Sequence, residues 1–482
     1  MTQIPSGDDM SDIRNSAQSR GQVDDNAHII EIELADLAYG GDAVGRYQGR
    51  AVFVSGALPG EFVRAELTRE RANYARARLV EVLRPSPHRI EPRYPELAES
   101  GGFQWQYIEY ASQLEWKTEI VRQLLTRIGK LHNPHVLPTI GMPRGSDPWR
   151  YRTVAQFAIG PEGKIGFRRV GSHDVLDMPE CPIVHPALDA LYQKVRTWLL
   201  REWGPDAYQY AERFTLRVAV GAPGSADTSM PGEYALREPV GLLAIEARPG
   251  GAIDAAGGPQ AIGSALRSEA PELAGVVILG LPGGRGRVVV GQDYVHEQVL
   301  NRTFRISAGS FFQVNPSQTP VLVREALGWL NPRKDDSALD GYSGVGLFSV
   351  FLAQQVRHVH AIESQPSAVA DARASATLNH VANLTVTEGV LERILGVINR
   401  KNEHIDIALV DPPRAGCHPR ALSELQRLAP RTLVYVSCDP STLARDLSQL
   451  CSDGYRLVAV QPVDMFPFTS HIESVAVCER VP

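Results

Sequence analysis

Three short apolar runs in the last third of the chain each stop abruptly at a residue with chemistry of its own. Val434-Tyr435-Val436-Ser437 ends at Cys438, followed by Asp439-Pro440-Ser441-Thr442. Ile405–Val410 ends at Asp411, followed by Pro412-Pro413-Arg414-Ala415-Gly416. Leu339-Asp340 ends a third run and opens into Gly341-Tyr342-Ser343-Gly344-Val345-Gly346. β-Branched runs bounded by Pro, Gly and Ser predict buried strands, and capping residues before helical patterns predict the helices between them. Strands alternating with helices from about Arg305 onward imply βαβ units and a mostly parallel sheet. Ligands of such sheets collect beyond the strand C-termini. The pattern therefore brings Asp340, Asp411 and Cys438 to one edge of one sheet.

Gly344 and Gly346 supply a tight strand-to-helix turn and let a ligand approach the backbone closely. The helix is expected over Leu347–Gln355. A second strand, His358–Ile362, carries Glu363 at its tip about 20 residues on, where such folds hydrogen-bond a ribose hydroxyl pair. A third, phosphate-binding glycine is missing. The turn thus suits a nucleoside without a phosphate, such as S-adenosylmethionine, better than a dinucleotide. A lone cysteine is most often a small buried apolar residue, but these two neighbouring motifs favour a reactive role for Cys438. The helix that follows it is expected to favour thiolate over thiol.

The 482 residues allow two or three domains. Residues 1–27 are polar and acidic and are expected to be a disordered tail rather than a signal peptide. No stretch is long and apolar enough for a membrane span. Five scattered cysteines, Cys181, Cys417, Cys438, Cys451 and Cys478, lack metal spacing and argue for a reducing cytoplasm. The net charge of −6 leaves a nucleic-acid partner open, because a local basic face suffices. Arg64, Arg69, Arg71, Arg76, Arg78 and Arg84, interleaved with Tyr74, are the candidate face. They lie in residues 28–87, where short alternating strands (His28–Ala35, Ala51–Val54, Glu61–Arg69, Ala75–Leu83) predict an OB-like β-barrel. Residues 88–300 are expected to be a strand-rich, RNA-binding central domain. Within them an amphipathic helix, Gln113–Gly129, is expected to pack on the catalytic domain, residues 301–482. The loop Ala222–Glu233 is given no role.

Four segments together resemble the RNA uracil-5-methyltransferase family. They are Ala308-Gly309-Ser310-Phe311-Phe312-Gln313-Val314-Asn315, Asp411–Gly416, Ser437-Cys438-Asp439-Pro440 and Met465-Phe466-Pro467-Phe468-Thr469-Ser470-His471-Ile472-Glu473-Ser474. The resemblance covers nearly the whole chain after His28, including an N-terminal TRAM barrel. It implies a Rossmann-like, S-adenosylmethionine-dependent α/β domain that methylates C5 of a uridine in rRNA or tRNA, with rRNA favoured. It also implies Cys438 as nucleophile, Glu473 as base, and Gln313, Tyr342, Gly344, Gly346, Glu363 and Asp411 at the cofactor. No metal, membrane or obligate protein partner is implied.

The chain departs from the family in two places. Relatives often hold an iron–sulfur cluster on four cysteines. Here Tyr94, Ser100 and Phe103 replace three of them and only Cys181 remains, so no cluster is expected and apolar or aromatic packing should stand in its place. Leu347 and Val390 also replace polar residues common at the cofactor. Two other readings follow from such differences. An RNA cytosine-5-methyltransferase would carry a cysteine at the position of Arg414. An RNA-binding or RNA-folding protein that has lost turnover would explain Leu347 and Val390, although Cys438 and Glu473 argue against it.

Overall fold

The computed structural model describes residues 28–220, 240–249, 253–281 and 287–481. The expected tail and the loop Ala222–Glu233 lie outside the described residues. The chain forms two compact units. The first holds the chain up to Ile120 with Arg169–His173 and Phe468–Ser470; the second holds the rest.

The first unit contains a closed barrel of β1 (Ile29–Leu37), β2 (Ala43–Tyr47), β3 (Arg50–Ser55), β4 (Phe62–Glu70) and β5 (Tyr74–Arg84), in the order β1-β2-β3-β5-β4. Strand period two explains its wall: Ile30, Ile32 and Leu34 are buried while Glu31 and Glu33 face out. β2 was not expected from the sequence. It contains Gly45, a poor strand former, which is required because a Cβ there would lie 2.4 Å from the Glu33 carbonyl.

Four of the six arginines of the candidate basic face are paired with carboxylates of the barrel. Arg64 bonds Glu31 and Glu81, Arg76 bonds Asp42, Arg78 bonds Glu66 and Arg84 bonds Glu33. Tyr74 meets Phe53 edge-on, with ring centroids 6.1 Å apart. Residues 28–87 hold eight arginines and eight carboxylates, so the stripe is balanced within its own domain.

Helix α1 (Tyr110–Arg127) is the expected amphipathic helix. Its end lies against the later helix of residues 440–452: a Cβ on Gly129 would sit 3.0 Å from the Ala444 carbonyl.

The second unit continues with β6 (Val154–Ile159), β7 (Ile165–Arg168), β8 (Val175–Asp177), α2 (Pro186–Glu202), β9 (Ala211–Ala219), β10 (Val240–Ala247), α3 (Pro259–Glu269), β11 (Leu273–Leu279) and β12 (Val288–Gly291). The strands form one sheet in the order β12-β11-β10-β9-β6-β7-β8. A hairpin, β13 (Tyr294–Val299) and β14 (Arg302–Ser307), follows.

The last domain contains α4 (Thr319–Leu330), β15 (Ser337–Gly341), α5 (Leu347–Leu352), β16 (His358–Glu363), α6 (Pro366–Leu378), β17 (Leu384–Glu388), α7 (Leu391–Arg400) and β18 (Ile407–Val410). It ends with α8 (Pro419–Leu428), β19 (Thr432–Ser437), α9 (Pro440–Ser452), β20 (Tyr455–Val463) and β21 (Glu473–Arg480). The sheet order is β17-β16-β15-β18-β19-β21-β20. β15 to β19 are parallel, and β21 inserts antiparallel between β19 and β20. This is a Rossmann-like sheet, with order reversal between β15 and β18 creating a crevice above the strand tips. α5 is shorter than the expected Leu347–Gln355.

Candidate active site

β19 and β21 pair with Ser437 opposite Ser474. Cys438 follows Ser437 and Glu473 precedes Ser474, so the same register carried one residue further brings them together at the strand ends, where Glu473 acts on the thiol's charge. β20 holds the other side of β21, with Val463 opposite Glu473. The two residues are 35 positions apart in sequence and are joined by strand pairing, which loops alone would not fix.

Glu473 is only 3% exposed. Burial, then the Asp411 carboxylate, push its carboxyl well above the usual range, against the opposing effect of Arg414. Burial and Asp340 hold Asp411 up at about 7. Burial and the facing Glu473 and Asp411 push the half-buried Cys438 thiol up to about 12, again opposed by Arg414. The expected thiolate is therefore not the resting form. Burial is the main cause, and Asp439 adds to it: its carboxylate takes the first free amides of α9, those of Ser441 and Thr442. Asp411 and Cys438 are brought together as the strand tips predicted. Asp340 is deeper: fully buried, it accepts a hydrogen bond from Ser349, and burial raises it to about 7.

The glycine turn forms the second half of the crevice. Gly344 (φ +54°) and Gly346 (φ +85°) adopt left-handed backbone, and open space surrounds the missing Cβ of Gly344. Tyr342, with a side chain, takes φ +61° there. Glu363 Oε2 accepts the Gly344 N–H at 2.9 Å, while its Oε1 accepts those of Ser364 and Gln365 at 2.6 and 2.8 Å. Two buried polar atoms at this turn, Asp340 Oδ1 and Ser343 Oγ, have no partner within the described residues. Such atoms cost free energy unless a ligand or water satisfies them, so the turn offers an acceptor and a hydroxyl to a polar ligand.

Gln313 and Asn315 are buried, and Asn315 Nδ2 donates to the Met465 carbonyl at 3.1 Å. Phe311 beside them is 68% exposed. Sequence reasoning left it without a role, although a bare aromatic ring in a loop is a signal for stacking. Asp371 of α6 was also missed. It is fully buried and accepts the Ser307 N–H and both the Ser307 and Ser310 hydroxyls, which fixes the loop that presents Phe311. Leu347 packs into the hydrophobic core, and Val390 is exposed at the start of α7. His471 packs its ring edge against Phe466, 5.7 Å between centroids. Cys417 is buried with its thiol pushed up to about 12 by burial, and Arg414 stands exposed, an arrangement that does not favour the cytosine reading.

Where relatives place cluster cysteines, the first unit has Phe103 and Ser100 fully buried, and Tyr94 exchanging two backbone hydrogen bonds with the Gln106 side chain at 2.8 and 2.7 Å. In the second unit Cys181 is buried and its thiol raised to about 12, by burial first. Among the described residues no group of three or more His, Cys, Asp or Glu is placed to hold a metal.

The family model for tRNA (uracil-5-)-methyltransferase matches residues 265–481, and that for the TRAM domain matches residues 27–80. An uncharacterized RNA methyltransferase of Halalkalibacterium halodurans is 36% identical over 466 residues, covering 94% of this chain and 97% of the relative. The chain belongs to the tRNA (uracil-5-)-methyltransferase family. As a family member it is an RNA methyltransferase whose methyl donor is S-adenosylmethionine. A Bacillus cereus protein also described as an uncharacterized RNA methyltransferase is 34% identical over 468 residues, with 94% and 97% of the two chains covered. The crystal structure of the Pyrococcus abyssi tRNA (uracil-54, C5)-methyltransferase in complex with S-adenosyl-L-homocysteine superposes with a TM-score of 0.67. It covers 93% of this chain and 100% of that one at 23% identity, a likeness of fold.

Proposed function

We propose that this enzyme methylates C5 of a uridine in structured RNA, with rRNA the expected carrier, through a covalent bond between Cys438 and C6 of the base. The observation that supports the reading is the β19–β21 register, which runs to Ser437 opposite Ser474 and leaves the adjoining Cys438 and Glu473 at the same strand ends. C5 of uracil is a poor nucleophile. Cys438 loses its proton to solvent and adds as thiolate at C6, which converts the ring to an enolate, and C5 gains the electron pair it needs to take a methyl group. Glu473 then accepts the C5 proton, the enolate re-forms, and the C6–sulfur bond breaks. Its raised proton affinity makes Glu473 a stronger base than an exposed carboxylate.

S-Adenosylmethionine, when bound, supplies an electrophilic methyl on a sulfonium. Glu363 would hold its ribose hydroxyls. The turn Tyr342–Gly346, Gln313 and Asp411 would line it, and Asp340 Oδ1 and Ser343 Oγ offer the remaining polar partners. The target base must leave its helical stack for the thiol to reach its face. Phe311, exposed beside Gln313, would stack on it or on a neighbour.

RNA carrying 5-fluorouridine tests the mechanism, because fluorine at C5 cannot leave as a proton and the adduct persists. The wild type should give a covalent protein–RNA band and Cys438→Ala none, with methyl transfer lowered about a thousandfold or more. Methylation by the alanine variant at a comparable rate would refute the covalent step. Mass spectrometry of rRNA and tRNA nucleosides from a strain lacking the protein identifies the carrier.

A further inference from the structure

Asp446 is 1% exposed, yet it lies on the face of α9 that carries Leu443, Leu447 and Leu450. A carboxylate at such a position is costly unless every lone pair is used. Its Oδ2 accepts the Cys417 N–H at 2.8 Å and the Tyr435 hydroxyl at 2.6 Å, and its Oδ1 accepts Arg445 Nε at 2.8 Å. The same two turns of α9 reach the loop twice more. Thr442 Oγ1 donates to the Arg414 carbonyl at 3.0 Å, and Arg445 Nη2 to the Ala415 carbonyl at 2.8 Å. Between those carbonyls and Cys417 sits Gly416 at φ +78°. A Cβ there would lie 2.5 Å from both Arg445 Nη2 and Asp446 Oδ2.

We infer that Asp446 is a positioning residue for methyl transfer: it clamps the Arg414–Cys417 backbone to α9 and so sets Asp411 and Arg414 over Cys438 and Glu473. Three elements meet at this carboxylate. Tyr435 is in β19, three residues before Cys438. α9 begins two residues after Cys438. The loop carries Asp411 and Arg414, which both act on the Cys438 and Glu473 charges. Cys417 extends the network to the cofactor turn, since its thiol also interacts with the Tyr342 hydroxyl. The inference rests on the reaction proposed above, but its test does not depend on the adduct alone.

The experiment measures four quantities in Asp446→Asn and Gly416→Ala: adduct rate with 5-fluorouridine RNA, methyl transfer from labelled cofactor, cofactor affinity and melting temperature. Asparagine keeps the shape but loses the charge and one acceptor. Alanine at 416 pushes the loop off the clamp without touching the helix core, so it decides the matter if Asp446→Asn does not fold. Displacing reacting groups by about 1 Å costs on the order of a hundredfold in rate. Both variants should therefore lose about that much kcat, with a clearly smaller loss of cofactor affinity. A folded variant with wild-type kcat would overturn the inference. So would parallel loss of melting temperature, cofactor affinity and rate in Gly416→Ala, which marks a merely structural contact. Absence of any adduct in the wild type would defeat the covalent reading instead, and the methyl-transfer deficit would still report on the clamp.

Discussion

Asp439 accepts the backbone N–H of Ser441 at 2.9 Å, and that of Thr442 at 3.1 Å, from its position next to Cys438. The electropositive end of α9 is thereby used by a carboxylate rather than offered to the sulfur. Burial first, then Glu473 and Asp411, push the thiol up to about 12. An opposite charge close by is what would release that proton.

The first prediction concerns that charge. Iodoacetamide should label Cys438 slowly at neutral pH. Saturating S-adenosylmethionine, a sulfonium cation, should accelerate labelling about tenfold, corresponding to a shift of about one pKa unit. S-Adenosylhomocysteine, a neutral thioether, should not. Equal labelling with both compounds, followed by peptide mass spectrometry, would reject this electrostatic coupling.

Glu473→Gln keeps the shape and removes the proposed base. Addition and methylation should proceed while elimination stalls, so a protein–RNA adduct should accumulate on denaturing gels with ordinary uridine RNA. Turnover should fall by about 10²–10⁴-fold. In the wild type the rate should rise with pH as Glu473 loses its proton. Because burial and Asp411 raise that group, the midpoint should lie above the ordinary carboxylate range. A rate independent of pH through the weakly acidic region would contradict the assignment.

The barrel arginines should contribute little to salt dependence. A phosphate contact steepens the salt slope by about one unit per arginine, but Arg76 and Arg78 already bond Asp42 and Glu66. Arg76→Gln with Arg78→Gln should change the slope of log affinity against log salt by less than about one unit in total. A loss of about two units would show that RNA displaces both carboxylates.

Iron content is expected to be negligible in protein purified anaerobically. Tyr94, Ser100 and Phe103 supply no thiolate, and one remaining cysteine cannot replace about four ligands. Stoichiometric iron and sulfide would overturn this.

The catalytic half of the fold was legible because its signals are local. A β-branched run, a capping residue and a glycine turn announce strand tips wherever they occur, and Cys438, Asp411 and Glu363 stand at theirs. What was not legible depends on partners far away in sequence. Arg64 meets Glu31 only because β1 and β4 pair in one register, so a stripe of arginines read alone looked basic. The resting thiol was misjudged because burial, Glu473, Asp411 and Asp439 all push it up, and a linear reading saw only the helix behind it. Asp446 did leave a trace, a carboxylate among leucines, but its partners Cys417 and Tyr435 lie 29 and 11 residues away.

β21 is hydrogen-bonded on both sides, and its register against β19 and β20 is set independently by each. A slip of one residue would turn every side chain of the strand to the opposite face. The distance between Cys438 and Glu473 is therefore a property of the sheet's interior, where opening requires breaking two ladders at once. Heating should abolish turnover together with the global melting of that sheet, without a prior phase in which the domain is folded but inactive. The enzyme's chemistry in this respect is as stiff as its backbone.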